Sequence, residues 1–350
     1  MGVRRSSIVL GAVGIVLIVL SLLVWFVVVP GATQLPANTD LKVTYSGTGT
    51  LLNSSALASG DMQDVIAANV PLTVEREVKV TSVHGSTAIV SDRLTVFAGT
   101  ETIPSDHIYA LDRATLEGVT PPAGIAVQPS VGALSSAFPL GPKADDSYKY
   151  YDSTTKDIVP VRYAGSATRG GRAVNIYQAT ASGPVKDPGV LQLLPSLLPK
   201  KTLVSLAPLL PAAKRAEITP ATLAALPDPV PLSYTGTTSI VAYVDQQTGI
   251  PIDESVSQQI VVNIAAGTQT LSLIPVLVLD FHGTPASIAS LASKAKTTGE
   301  ELTVLKVIAP VVLLVLGAVL LVVAVLRRRR PGSAAPGAIK NEDDPQPQST

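Results

Sequence analysis

Three histidines, His84, His107 and His282, are the side chains of this 350-residue chain that titrate closest to neutrality, and the chain has no cysteine. The missing thiols remove cysteine nucleophiles, thiolate metal sites, disulfides and thioether lipid anchors together. The histidines stand far apart, beside glycine or inside strand-like runs, and each reads as a surface or strand-end residue. A triad assembled by folding is recognised by geometry and not by chain order, so that reading stays open at this level. Two acid pairs, Asp145-Asp146 and Asp253-Glu254, have the residue types for acid–base work. Neighbours on a strand point to opposite faces, so neither pair converges on one substrate. Glu75-Arg76-Glu77 reads as a solvated strand edge, although Arg76 falls on the apolar face of its strand. There is no Gly-x-Ser-x-Gly elbow, no His-Glu-x-x-His and no phosphate-cradling glycine loop. The residues point away from an enzyme and call for no cofactor and no metal.

One spacing recurs. Asp112-Arg113-Ala114-Thr115, Asp152-Ser153-Thr154-Thr155 and Asp245-Gln246-Gln247-Thr248 share Asp-x-x-Thr, each two or three residues after a tyrosine (Tyr109, Tyr150, Tyr243). An aspartate opening a type I turn accepts a backbone N–H two residues on and closes the turn. Gly249 then supplies the left-handed residue of a hairpin loop. Calcium ligation is the competing reading, but calcium loops gather several oxygens and each copy offers one acid. A second echo, Tyr-x-Gly-Ser/Thr at Tyr45, Tyr163 and Tyr234, reads as strand ends near bulges.

Such turns punctuate strands. Leu72 to Val80 nearly alternates, and 88–97, 107–111, 158–163 and 173–179 are similar, with a second β region at 232–244, 250–265 and 268–279. The pattern predicts an α+β fold: an antiparallel β-rich extracytoplasmic domain, a curved sheet or open barrel, with a short helical insert and two flanking transmembrane helices. The insert, 184–231, holds ten prolines, many leucines and no aromatic residue. Thr219-Pro220 has the chemistry of a helix start. The insert reads as a subdomain packed on the sheet or as an apolar lid, and Leu191, Leu194, Leu198, Leu206 and Leu210 are its candidate ligand or partner surface. Thr284-Pro285 opens a membrane-proximal helix over 285–303, with Ile288, Leu291 and Ala295 on one face and Gly299 a point of interruption.

Ile8 to Val29 is a run of 22 uncharged residues and Val307 to Leu326 one of 20, each long enough as a helix to cross a hydrocarbon core of about 30 Å. The first is too long for the apolar region of a signal peptide and ends in Val-Val-Val-Pro without a small-x-small cleavage site, so retention is favoured over cleavage. Pro310 falls in the first turn of the second. Arg4-Arg5 before one run and Arg327 to Arg330 after the other put a cytoplasmic tail at 1–7 and another at 327–350, with 30–306 outside the plasma membrane. The second tail, basic then acidic and rich in Pro and Gly, reads as disordered. Lys+Arg and Asp+Glu balance at 26 each, which excludes the basic face a nucleic-acid binder needs. The expected partners are the lipid bilayer and an envelope lipid or membrane protein.

Tyr45-Ser46-Gly47-Thr48-Gly49-Thr50-Leu51-Leu52-Asn53, Tyr109-Ala110-Leu111-Asp112-Arg113, Phe138-Pro139-Leu140-Gly141, Tyr150 to Thr155 and Val244 to Gly249 resemble the actinobacterial porin-PorA-like membrane proteins, a largely uncharacterised domain family, over nearly the whole chain. Tyr151 stands where that pattern has Trp, and Lys156 where it has Gly. The resemblance implies an actinobacterial cell envelope, transfers no catalytic residue, and adds pore formation as an alternative to ligand binding and to an envelope scaffold. Short polar strands fit a membrane barrel poorly, since each spanning strand needs about 9–11 residues with an apolar outer face.

Overall fold

The computed structural model describes residues 5–59, 61, 63–267 and 269–329, in two units: Ala32–Leu302, and the helical residues to either side of it. Residues 1–4 and the expected basic-then-acidic tail from Arg330 lie outside the described residues.

Within Ala32–Leu302 the strands are β1 (Asp40–Leu52), β2 (Ile66–His84), β3 (Thr87–Ala98), β4 (Glu101–Asp112), β5 (Lys149–Asp152), β6 (Asp157–Pro160), β7 (Arg162–Arg169), β8 (Arg172–Pro184), β9 (Leu197–Leu198), β10 (Val230–Asp245), β11 (Pro251–Ala266) and β12 (Gln269–Gly283). The main sheet runs β4-β3-β2-β1-β12-β11-β10-β8-β7, antiparallel throughout, with β9 paired to β10 and β5–β6 a separate hairpin. The expected antiparallel α+β architecture is present as an open sheet with β4 and β7 at its edges. Two meanders meet where β1 pairs with β12, from Tyr45 opposite Gly283 to Leu51 opposite Leu277. Gly47 is needed there, because a Cβ would collide with the Asp280 carbonyl. The main strands are longer than the sequence pattern suggests: β2 spans 19 residues and β10 and β11 16 each, so strand length is no argument against a barrel, whereas openness is. The Tyr-x-Gly elements lie near register shifts in β1 (Gly49 to Leu51) and β7 (Tyr163 to Gly165) but inside regular β10, and in β1 and β10 they sit mid-strand.

Local chemistry makes the turns as expected. Asp112 Oδ1 accepts from the N–H of Ala114 and Thr115 (both 2.9 Å), Asp152 Oδ2 from the N–H and hydroxyl of Thr155 (both 2.8 Å), and Asp245 Oδ1 from those of Thr248 (both 2.8 Å). The residue after each threonine is left-handed: Leu116 and Lys156 at φ 56° and Gly249 at φ 70°. Two of the three copies therefore hold a side chain where glycine is least strained.

Thr284 caps the helix Pro285–Thr303 by accepting from Ser287 N–H (3.2 Å), and Ser287 Oγ donates to Thr44 O (2.8 Å), which pins the helix start to β1. Leu291, Ala292 and Ala295 pack with Val43, Val174, Ile252 and Phe281. Gly299 does not interrupt the helix; it is buried against Gln247, leaving no room for a Cβ. The insert forms the short helices Pro188–Gln192, Lys200–Leu206, Ala212–Glu217 and Pro220–Ala225, the last capped by Thr219 Oγ1 accepting from Thr222 N–H (3.1 Å). Leu198, Leu203, Leu210 and Leu226 pack on Tyr234, Ile260, Ile264 and Leu273 of the sheet, and the Tyr234 hydroxyl donates to Pro195 O.

In the other unit, helical residues extend over Arg5–Ala32 and, at the C-terminal side, on through Arg329. Each contains a wide π turn, Val24–Val28 and Val304–Ile308, two residues before Pro30 and Pro310. Pro310 therefore sits inside a continuous helix and not in its first turn. The wider turn relieves the helical contact that a proline ring and its missing N–H would otherwise break. The two helices pack antiparallel: Gly14 meets Gly317, Gly11 meets Ala324, and Ser21 Oγ donates to Pro310 O (2.8 Å). Small residues let the backbones approach. Ile8, Ile15, Phe26, Val315 and Val322 remain exposed around the pair, as a lipid-facing surface requires.

Candidate functional site

The curled sheet holds a cavity of about 450 Å³, lined from seven of its strands. Its walls are mostly aliphatic: Leu51 and Leu52 of β1, Leu94 and Val96 of β3, Ile103 of β4, Ile240 of β10, Val256 of β11 and Leu277 and Leu279 of β12. Val190, Leu193 and Leu194 bring the insert to it, and Tyr150 and Thr154 bring the β5–β6 hairpin. Alternation sends every second residue inward, so a few stripes of Val and Leu build the wall.

Each of three stripes is broken by a charge. Arg76 follows Leu72 and Val74 on β2, Asp92 lies between Val90 and Leu94 on β3, and Glu254 between Ile252 and Val256 on β11. Arg76 Nε donates to Asp92 Oδ1 (2.9 Å) and Nη2 to Oδ2 (2.6 Å), while Nη1 donates to Glu254 Oε2 (3.2 Å). Ser136 Oγ donates to Asp92 (2.8 Å) and the Tyr45 hydroxyl to Glu254 (3.1 Å). Burial works against charge on Asp92, but the adjoining guanidinium and the Ser136 hydrogen bond outweigh it and hold the carboxyl below its ordinary range. Burial likewise opposes charge on Arg76, and Asp92 and Glu254 keep it protonated. Burial, reinforced by Glu254, pushes the Tyr45 phenol far up, so it stays a donor. The solvated edge read from Glu75-Arg76-Glu77 is thus corrected: β2 lies between β1 and β3, Glu75 is exposed, and Arg76 turns inward into an ion cluster.

His107 lines the same cavity, and its side chain is 11% exposed, unlike the surface residue expected. Gln128 Nε2 donates to its Nδ1 (3.1 Å) while Gln128 Oε1 accepts from the Tyr151 hydroxyl (2.8 Å). Both Ser105 Oγ (3.0 Å) and Asp187 Oδ2 (3.5 Å) reach its Nε2. A nucleophile triad needs the acid on the opposite ring nitrogen from the hydroxyl, so this trio does not activate Ser105. Asp187 does join two elements, since its Oδ1 caps the insert helix Pro188–Gln192 at Gly189 N–H (2.9 Å). Asp253 and Glu254 diverge as expected: Asp253 accepts from Arg169 Nε (2.8 Å) and from Gly283 N–H (3.2 Å). Asp145 and Asp146 accept from the N–H groups of Ser147 and Tyr163.

Thr238 of β10 also lines the cavity, 6% exposed, and its hydroxyl has no hydrogen-bond partner among the described residues. Such a group is costly unless something else satisfies it. Of the five leucines singled out in the insert, Leu194 lines the cavity and Leu191 is exposed beside it. Leu198 and Leu210 are buried in the core between the insert and the sheet, with Leu206 packed against it. Of the site residues, the sequence singles out Leu194, His107, Glu254 and Arg76, without bringing them together, and gives no mark to Asp92 or Thr238. A charge on an apolar stripe is the available signal, and in the sequence it is plain only for Arg76.

No curated protein matches the chain. Among solved structures, an acyl-CoA thioesterase II, TesB2, from Mycobacterium marinum aligns at 15% identity over 71% of this chain and 81% of that one, with a TM-score of 0.13, which carries no argument. The sequence model of the family described as Porin PorA matches residues 6–326. With its two apolar helices and that match over nearly its whole length, the chain is a membrane protein that belongs to the Porin PorA family.

Proposed function

We propose that the protein is a two-pass plasma-membrane protein of the cell envelope whose extracytoplasmic β domain binds a lipid or another apolar envelope molecule and catalyses no reaction. The cavity carries this reading: aliphatic walls enclose a space of ligand size with a few polar groups inside, among them the unpartnered Thr238 hydroxyl. The geometry around His107, with hydroxyl and carboxylate on one ring nitrogen, supports a binding role over hydrolysis. The antiparallel helix pair has Arg5 and Arg329 at the same end, and the flanking arginines of the sequence favour the cytoplasm for that end. The resemblance to actinobacterial sequences supports such an envelope as the setting.

Native mass spectrometry of the full chain in a non-ionic detergent, followed by lipid extraction, tests it. The expected result is one lipid per chain, with occupancy reduced about tenfold by Leu194→Trp, which fills the cavity from the insert side. Ligand-free protein, or occupancy indifferent to that substitution, sinks the reading. The family's description favours a second reading, a pore. An open sheet leaves the edge strands β4 and β7 without a further neighbouring strand, an edge that hydrocarbon does not tolerate, so conduction through this sheet is disfavoured. Stepwise conductance of the reconstituted protein in planar bilayers would favour the pore.

A further inference from the structure

A second cavity of about 410 Å³ lies within Ala32–Leu302 on the other side of the Arg76 cluster. Tyr45, Arg76 and Glu254 line both cavities and form the partition between them. The segment between β4 and β5 thickens it: Ser136 Oγ donates to Asp92, and Ser135 O accepts from Arg76 Nη2 (3.4 Å). Beyond the partition the wall is again aliphatic, with Val43, Val78, Val80, Leu111, Leu116 and Ile250.

Two features separate this chamber from the first. Ala32 and Leu302, the first and last residues of the β domain, both line it. Its charges also differ in sign. Apart from the shared partition, the acids that line the first cavity are Asp92, Asp106, Asp152 and Asp187, with His107 among them. The second has Arg113 and Lys294, with Asp40 its one further acid, and Asp40 already faces Lys79 at 3.7 Å. Lys294 is exposed and makes no ion pair among the described residues. Arg113 is half-buried, with Nε donating to Leu35 O (2.8 Å).

We propose that this chamber is a second lipid site, which takes the chain of a single-tailed anionic amphipath, a fatty acid, and holds its carboxylate at the Lys294 and Arg113 rim. An apolar wall accepts the chain, and a cationic rim beside it selects for a negative head. The first cavity has no such rim, so the two chambers discriminate by charge. The site stands apart from the ligand cavity proposed above and is tested separately.

The full chain is reconstituted into phosphatidylcholine vesicles with palmitic acid bearing a diazirine on its chain or, in parallel, with the methyl ester of that acid. After illumination the modified peptides are mapped by mass spectrometry. The acid should label Val78–Val80 and Leu111–Leu116, and Lys294→Glu should reduce that labelling about tenfold, while the ester labels these peptides weakly in either protein. Lys294 is exposed, so its substitution leaves the core untouched. Equal labelling by acid and ester, or labelling indifferent to Lys294→Glu, overturns the proposal. Labelling confined to Leu194 and Val256, or no label anywhere in 32–302, overturns the second site and leaves the first to its own test.

Discussion

Thr238 shows at the scale of one residue how binding and stability pull apart. Its hydroxyl is buried without a partner among the described residues, a state that costs about 1–3 kcal/mol. Thr238→Val keeps the shape and removes that cost, so the ligand-free chain should gain about 1 kcal/mol of stability in a denaturant titration. The same change should weaken a ligand that satisfies the hydroxyl. A loss of stability instead would mean that the group is already bonded in the folded protein. The three Asp-x-x-Thr turns show the opposite case, in which residue chemistry is entirely local. Their donors and acceptors lie within three residues, so they were legible in the sequence without any fold. The Arg76 cluster was not, because its partners lie 16 and 178 residues away in the chain.

At the scale of elements, the strands were read from alternation and the helix starts from Thr-Pro, and both are present. Strand length was underestimated because inward-facing polar residues, such as those on β3 and β11, break the apolar rhythm while the backbone ladder continues. The membrane helices were legible by length, but their pairing was not, since small residues carry little signal until a partner is known. Gly11 and Ala324 would bring two Cβ atoms to 3.8 Å, the separation a disulfide uses. The chain has no cysteine to interfere. A Gly11→Cys, Ala324→Cys double variant should therefore cross-link within one chain on mild oxidation in membranes. Adding Gly317→Leu should abolish the cross-link, because a Cβ there runs into the Gly14 carbonyl at 2.7 Å. Cross-linking that survives this change would argue against the close helix contact.

Across the whole molecule, buried carboxylates make stability depend on acid. Burial opposes charge on Asp245, but hydrogen bonds from Arg172 and Thr248 outweigh it and hold its carboxyl low, as the Arg76 contact does for Asp92. Both folded values lie below the unfolded value of about 4, so their contribution is complete above that pH and drains as the pH falls through the folded values. Thermal melts of the full chain should be flat in this contribution from neutrality to about pH 4 and fall below it. Asp245→Asn should cost about 2 kcal/mol at neutral pH and make the acid limb shallower. An unchanged acid limb would assign the loss to other groups.

The pairing of β1 with β12 also sets a schedule. The β1 strand is made early and finds β2 at once, but its other edge waits for Gln269 and the residues after it. At about 5–20 residues per second, the intervening chain takes roughly 10–40 s to synthesise. During that interval the β1 edge of the N-terminal meander has no partner strand. The yield of folded protein is therefore set by a race between completion of the second meander and self-association of the first.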